Sequence, residues 1–198
     1  MSHYFKDDPN LKSEIREINF LLFNRAFSFS SDAGVFSKNE LDEGTKTLLE
    51  STIKQNLSGR VLDLGCGIGM VGVVLGVLYP ELTVDLIDVN HRALNLASIN
   101  KERYHLENLN VFYSDGFQQI QTKYNFVVTN PPIRAGKTVI YSFFDGSYEH
   151  LIEGGILLVV IRKSHGAPSA KQKLEELFGN CEIIDRNKGY YVLKSVKN

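Results

Sequence analysis

Cysteine is nearly absent. The 198-residue chain carries two, Cys66 and Cys181, in neither a C-x-x-C pair nor a zinc-ligand spacing, which excludes a disulfide scaffold and a cysteine-built metal centre. No charge of either sign dominates: 22 Lys and Arg stand against 23 Asp and Glu, a formal net charge of −1. That balance excludes a strong whole-molecule attraction to nucleic acid, so any such contact must come from a local basic face. Long apolar runs are missing too. "MVGVVLGVLY" (70–79) and "GGILLVVI" (154–161) are too short to span a bilayer. The polar start "MSHYFKDDPN" has no signal-peptide core. With reduced thiols and no secretory segment, the expectation is a cytoplasmic protein that uses no membrane and no metal. Internal repeats, low-complexity tracts and linker-like stretches are also lacking, so one domain with one sizeable core is expected.

The chain does carry an alternation of strand-like and helix-like segments, in a composition of 43% hydrophobic and 23% charged residues that suits an ordinary globular domain. From Gly59 onward, "RVLDLG" (60–65), "TVDLIDV" (83–89), "NVFYSD" (110–115), "YNFVVTN" (124–130) and "GGILLVVIRK" (154–163) read as strands. Helices are expected over 68–80, where Pro80 stops the run, and over 92–107, 138–152 and 167–179. Near-continuous β-branched runs of this kind suit parallel strands covered on both faces, which implies a doubly wound α/β sheet. The C-terminal "CEIIDRNKGYYVLKSVK" (181–197) reads as a hairpin around "RNKG", adding antiparallel edge strands. "SEIREINFLLFNRAFSFSSDAGVFSK" reads as an N-terminal hairpin turning near 24–25, and "LDEGTKTLLESTIKQN" as a helix before the first parallel strand.

Two segments carry chemistry. "DLGCGIGMVG" (63–72) joins the first parallel strand to its helix, where a nucleotide-binding loop belongs. Gly65, Gly67 and Gly69 form G-x-G-x-G behind Asp63. Gly67, Gly69 and Gly72 form G-x-G-x-x-G instead, with Asp88 about 20 residues on, as in a dinucleotide site. The spacing leaves a hydride-transferring dehydrogenase open. An acid two residues before the first glycine has no role in the dinucleotide fingerprint, and roughly sixty residues precede the loop; both favour S-adenosylmethionine. The second segment is "VVTNPPIRAGK" (127–137). Asn-Pro starts turns and Pro-Pro forces an extended path, so these residues alone fit a stiff turn as well as a chemical role for Asn130.

Taken in order, "VLDLGCGIG", "LIDVN", "YSDGF" and "VVTNPP" resemble the class I S-adenosylmethionine-dependent methyltransferases of the NPP type. With "SDAGVFSKNELDEGTKTLL" (31–49) and "NPPIRAGK" (130–137), the chain resembles the bacterial 16S ribosomal RNA guanine-N2 methyltransferases, the small subunit methyltransferase C family. The likeness covers nearly the whole chain but only the catalytic half of two-domain members, which implies a short single-domain form. The implied fold is a seven-stranded Rossmann-like sheet, mostly parallel with an antiparallel C-terminal hairpin and helices on both faces. Residues 1–198 then form one methyltransferase domain, with a hairpin and loop extension over 1–45 and the catalytic core over 46–198.

The resemblance also implies roles. Asp63, Gly65, Gly67 and Gly69 line the methionine and ribose side of S-adenosylmethionine, Asp88 takes the ribose hydroxyls, and Asp115 the adenine amine. Asn130 and the Pro131 carbonyl accept the two N–H bonds of the target amine, and Pro131 and Pro132 stiffen the backbone. Many NPP enzymes carry an aromatic residue where Ile133 stands, to stack on a flipped base. Isoleucine cannot do so, which makes Phe36 of "GVFSK" a candidate base platform. Lys38, Arg134, Lys137 and "RKSH" (162–165) are candidate RNA contacts. His165 could be read as a general base, which the chemistry does not require. The implied partner is small-subunit ribosomal RNA, free or in the assembled subunit. Alternatives are the same chemistry on a protein glutamine, a tRNA or a DNA base, or a non-catalytic nucleotide-binding module.

Overall fold

A computed structural model describes residues 14–32, 41–132 and 136–198. Phe36, Lys38, Ile133 and Arg134 lie outside the described residues. Seven strands form one sheet. They are β3 (Arg60–Leu64), β4 (Thr83–Asp88), β5 (Leu109–Tyr113), β6 (Tyr124–Thr129), β7 (Leu151–Arg162), β8 (Glu182–Asn187) and β9 (Tyr190–Val196). Their spatial order is β5-β4-β3-β6-β7-β9-β8. The first five pair in parallel, and β9 runs antiparallel to both its neighbours. The chain moves outward from β3 through β4 to β5, then returns to the other side of β3 as β6. That reversal opens a crevice at the carboxyl ends of β3 and β6, where ligands bind in sheets of this kind.

Helices α1 (Glu43–Thr52), α2 (Met70–Leu78) and α3 (His91–Arg103) cover one face, and α4 (Lys137–His150) and α5 (Ala167–Phe178) the other. Alternate residues of one strand feed the two cores. Val61 of β3 joins the first cluster, and Leu62 and Leu64 the second. A separate antiparallel hairpin, β1 (Arg16–Leu22) with β2 (Arg25–Ser31), lays Ile18, Leu22, Phe27 and Phe29 into the first core. Among the described residues no helix is long and apolar enough to cross a membrane.

The elements follow the sequence expectations closely, and the deviations have local causes. The first hairpin turns on Phe23 and Asn24, both at positive φ (51° and 57°), one residue before the expected site. A two-residue type I′ turn requires that conformation twice, and here no glycine marks it. Helix α3 ends at Arg103, not near 107, because the chain reverses through His105 at φ 51°. The Tyr104 hydroxyl meanwhile anchors on Ser28 of β2, accepting from its N–H (2.7 Å) and donating to its carbonyl (3.0 Å). At the amino end of the sheet, buried Asp85 accepts from Tyr124 Oη (2.9 Å), Asn110 Nδ2 (2.8 Å) and Arg60 (3.2 Å). These bonds satisfy a carboxylate that burial alone would destabilise.

Candidate active site

The glycine loop follows β3 and turns into α2. Gly65 N–H and Cys66 N–H both donate to the Ile87 carbonyl at 2.9 Å, and Gly69 N–H donates to the Cys66 carbonyl at 2.9 Å. Gly65, Gly67 and Gly69 all have positive φ (71°, 56° and 82°), which side chains resist. A Cβ on Gly69 would also stand 3.0 Å from Leu86 and 3.1 Å from Ala97, so close packing adds to the conformational demand there. At Gly65 the nearest atom to such a Cβ would be Phe143 of α4 at 3.5 Å, so Gly65 is required by its conformation and not by crowding.

Gly69 stands at the N-cap of α2 and has no side chain to cap it. Asp63 supplies the missing acceptor from the neighbouring strand: its Oδ2 accepts the Gly72 N–H at 2.8 Å. Burial, helped by the Asp88 charge, pushes the Asp63 carboxyl up to about 7 against the pull of that N–H. Burial likewise lifts the Cys66 thiol well above its ordinary range, which makes it an inert packing group. Asp88 closes the loop from β4. Its Oδ2 accepts from Gly67 N–H and its Oδ1 from Asn90 N–H, both at 2.9 Å. Each carboxylate oxygen can accept a second hydrogen bond, so neither contact excludes a ribose hydroxyl. Asp115 is exposed on the loop after β5, where its Oδ2 accepts from Gln118 at 3.2 Å. The three acids therefore sit at or just past the carboxyl ends of the consecutive strands β3, β4 and β5. The backbone cradle, the left-handed glycines and two buried carboxylates suit the nucleoside and amino-acid parts of S-adenosylmethionine.

Asn130 follows β6, across the crevice from the glycine loop. Buried Thr129 ties the two segments together, its hydroxyl donating to the Leu64 carbonyl at 2.8 Å. The Asn130 amide is held by α1: its Nδ2 donates to Thr45 Oγ1 at 3.1 Å and lies 3.5 Å from Asp42 Oδ1. Among the described residues its Oδ1 accepts from nothing. Pro131 is buried and Pro132 half-buried. Lys137 is exposed at the first turn of α4, and Arg162, Lys163, Ser164 and His165 are exposed where β7 runs into a short 3-10 turn. All lie toward the carboxyl edge of the sheet.

Three contributors were not found from sequence. Thr45 and Asp42 stand 85 and 88 residues from Asn130, and spacing gives no sign of that contact. "LDEGT" signals only a capped helix start, which it also is: Asp42 Oδ1 accepts the Thr45 N–H at 3.1 Å. The third is Asn100, fully buried on α3. Its Nδ2 donates to the carbonyls of Ser30 (3.1 Å) and Ile68 (3.0 Å), and its Oδ1 accepts the Ser30 N–H (2.7 Å). One amide thereby joins the N-terminal hairpin to the glycine loop. No group of three or more His, Cys, Asp or Glu side chains among the described residues could hold a metal ion.

The fold and the crevice define a Rossmann-like methyltransferase. The chain belongs to the methyltransferase small domain family, whose model matches residues 26–194. It is thus an S-adenosylmethionine-dependent methyltransferase, and the dehydrogenase reading of the glycine loop falls away. Over 197 residues it is 42% identical to the Bacillus subtilis protein YbxB, covering 98% of both chains. It is 35% identical to the ribosomal RNA small subunit methyltransferase C of Psychromonas ingrahamii, covering 87% of this chain and 49% of that protein. The large subunit methyltransferase G of the same organism is 30% identical, covering 93% of this chain and 48% of that protein. The chain therefore spans about half the length of these ribosomal RNA enzymes. Among solved structures, the T. thermophilus 16S rRNA N2 methyltransferase in complex with AdoMet and guanosine superposes with a TM-score of 0.85 at 24% identity. That superposition covers 98% of this chain and 53% of the other.

Proposed function

We propose that this protein transfers a methyl group from S-adenosylmethionine to the exocyclic N2 amine of a guanine in small-subunit ribosomal RNA. The observation that carries the reading is the fixed orientation of the Asn130 amide. Its NH2 is engaged by α1, which leaves the carbonyl oxygen as the group presented to a substrate. The N2 amine is a poor nucleophile because its lone pair is delocalised into the ring. Asn130 Oδ1 and the Pro131 carbonyl accept its two N–H bonds, turn the lone pair toward the methyl, and stabilise positive charge as it develops on nitrogen. Pro131 and Pro132 contribute no N–H that would compete for those acceptors. When bound, S-adenosylmethionine supplies a methyl on a sulfonium sulfur, which keeps the electron pair of the broken bond. The methylated nitrogen then loses one proton to solvent, a step that needs no dedicated base such as His165.

Around that centre, Asp63 receives the methionine ammonium, Gly65, Gly67 and Gly69 admit the cofactor to the backbone, Asp88 takes the ribose and Asp115 the adenine amine. Phe36 and Ile133 supply apolar contact to the base. Lys38, Arg134 and Lys137 hold phosphates. The small-subunit relative and the guanosine bound by the T. thermophilus enzyme support this substrate. The large-subunit relative supports a second RNA as the alternative.

The test is transfer of radiolabelled methyl to small subunits lacking the modification, with large-subunit RNA, tRNA and a protein extract alongside. N2-methylguanosine in the small-subunit digest, reduced at least a hundredfold by Asn130→Ala, is the expected result, on the scale of losing an oriented transition-state acceptor. Label in large-subunit RNA, tRNA or protein instead would overturn the substrate assignment.

A further inference from the structure

We propose that Arg162, held over the ring of Tyr190 at the carboxyl end of β7, clamps a phosphate flanking the target guanine, and that Tyr190 is its positioning residue. This inference rests on the RNA substrate proposed above. The register puts the pair beside the candidate site. Thr129 of β6 stands opposite Val159 of β7, so Arg162 lies two residues beyond the level of Asn130. That is about 7 Å along strands that rise about 3.3 Å per residue, and one strand spacing of about 4.8 Å to the side. Both side chains leave the same face. Phe126 and Val128 of β6, like Leu158 and Val160 of β7, pack in the core beneath α1, and Asn130 and Arg162 continue those alternations. Tyr190 pairs with Arg162 from β9 and packs against the same core, and a Cβ on Gly44 of α1 would stand 2.8 Å from its ring. Arg162 and Asn130 therefore flank the first turn of α1, at the scale of one nucleotide.

The contact leaves the guanidinium ready for an anion. Its central carbon lies 4.8 Å from the Tyr190 ring centroid, an attraction to the ring face that commits no N–H to an oxygen acceptor. Among the described residues Arg162 has no carboxylate partner and donates to no carbonyl, and it is exposed. Its planar fork of N–H groups matches two phosphate oxygens at once, and a side chain already placed loses less freedom on binding. The two acids at the start of α1 do not occupy it. Glu43 pairs with Lys188 at 2.6 Å, and Asp42 caps the helix by accepting the Thr45 N–H at 3.1 Å. A second pair of the same kind gives an internal comparison. Arg186 lies 5.3 Å from the ring of Tyr191, which packs against the other core, beneath α4 and α5. That pair stands on the opposite face of the sheet from Asn130.

The experiment measures affinity for naked small-subunit ribosomal RNA across a salt series, the KM for that RNA in methyl transfer, S-adenosylmethionine affinity by calorimetry, and Tm. Arg162→Gln should weaken RNA binding about tenfold, the scale of a charged hydrogen-bonded contact. Its slope of log K against log salt should be shallower by about 0.7, one phosphate fewer on a single strand. Cofactor affinity should hold. Arg162→Lys keeps the charge without the fork, so it should restore the slope and only part of the affinity. Tyr190→Phe keeps the ring and should match the parent. Tyr190→Leu lacks the ring face and should weaken RNA binding about threefold, with no further loss where residue 162 is already glutamine. That non-additivity separates positioning from packing even if leucine lowers Tm, because a packing defect would act equally on both backgrounds. Arg186→Gln removes the same charge from the other face and should leave RNA affinity within about twofold. Parent-like affinity and slope in Arg162→Gln would overturn the clamp, and so would an equal loss in Arg186→Gln, the mark of general attraction. Additive losses from Tyr190→Leu and Arg162→Gln would overturn the positioning role. A parent protein that methylates protein and no RNA would instead remove the reading on which the inference rests.

Discussion

At the scale of single residues, the most informative group is a carboxyl buried beside the cofactor loop. Asp63 is held at about 7 by burial, far above an unfolded aspartate near 3.9. Between those values the native state binds a proton that the unfolded chain has released. The contribution of Asp63 to stability is therefore fully present below about pH 4 and is lost as pH rises through 7. On the proposed pairing of Asp63 with the methionine ammonium, cofactor binding runs the other way. An ammonium group, protonated throughout this range because its pKa is about 7.7–8.0, pairs only with the ionised carboxylate. Affinity for S-adenosylmethionine should rise by close to tenfold per unit from pH 5 to 7, peak between about 7 and 8, and fall above as the ammonium loses its proton. Asp63→Asn should flatten both profiles. Calorimetry and urea unfolding at the same pH values check the two signs together; a cofactor affinity independent of pH would show that the ammonium does not pair with Asp63.

At the scale of elements, the seating of α2 on β4 is what brings the loop and the two acids together. Gly72 lies in that helix with its missing side chain against Leu86, and a Cβ there would stand 2.6 Å from Leu86 Cγ. Alanine gains about 1 kcal/mol in helix propensity over glycine. Forcing a methyl into a packed core costs about 1–3 kcal/mol, and a fully buried Leu86 gives it no room to escape. Overpacking should win, so Gly72→Ala is expected to lower stability by about 1 kcal/mol and Tm by about 2–4 °C. Thermal unfolding checks it, and a raised Tm would mean that propensity prevails. This packing was partly legible in the sequence. The spacing of Gly67, Gly69 and Gly72 announced a close strand–helix junction, and the β-branched runs announced the parallel strands. Hydrophobic pattern and glycine placement are local, so a sequence displays them. The hold of Thr45 on Asn130 and the triple bond set of Asn100 are not local. They join segments that only the finished sheet brings together. The first hairpin was legible, but its turn fell one residue early: Asn24 suits positive φ, whereas Phe23 carries no sign that it would adopt it.

At the scale of the whole molecule, the division of labour between the two ends of the sheet meets the near-zero net charge. The amino end carries the satisfied Asp85 network, while the carboxyl end gathers the acids, Asn130 and the exposed Lys137, Arg162 and Lys163. With a net charge of −1, the molecule as a whole does not attract a polyanion. On the proposed function, naked RNA is held by few cations: Lys137, Arg162 and Lys163, exposed toward the carboxyl edge of the sheet, with Lys38 and Arg134 of the sequence reading, which lie outside the described residues. If Lys38, Arg134, Lys137, Arg162 and Lys163 each meet one phosphate, the slope of log K against log salt should be about −3.5 for a single strand. Affinity should fall roughly a hundredfold between about 50 and 200 mM salt. A slope near −8 would mean that a much wider basic surface takes part. The consequence for substrate form follows from the same numbers. Contacts to ribosomal proteins need not release counterions, so methylation of assembled small subunits should persist at a salt concentration that has silenced methylation of naked RNA. Parallel decline of the two activities would show that phosphate contacts alone bring this enzyme to its target, and that the assembled particle adds nothing to recognition.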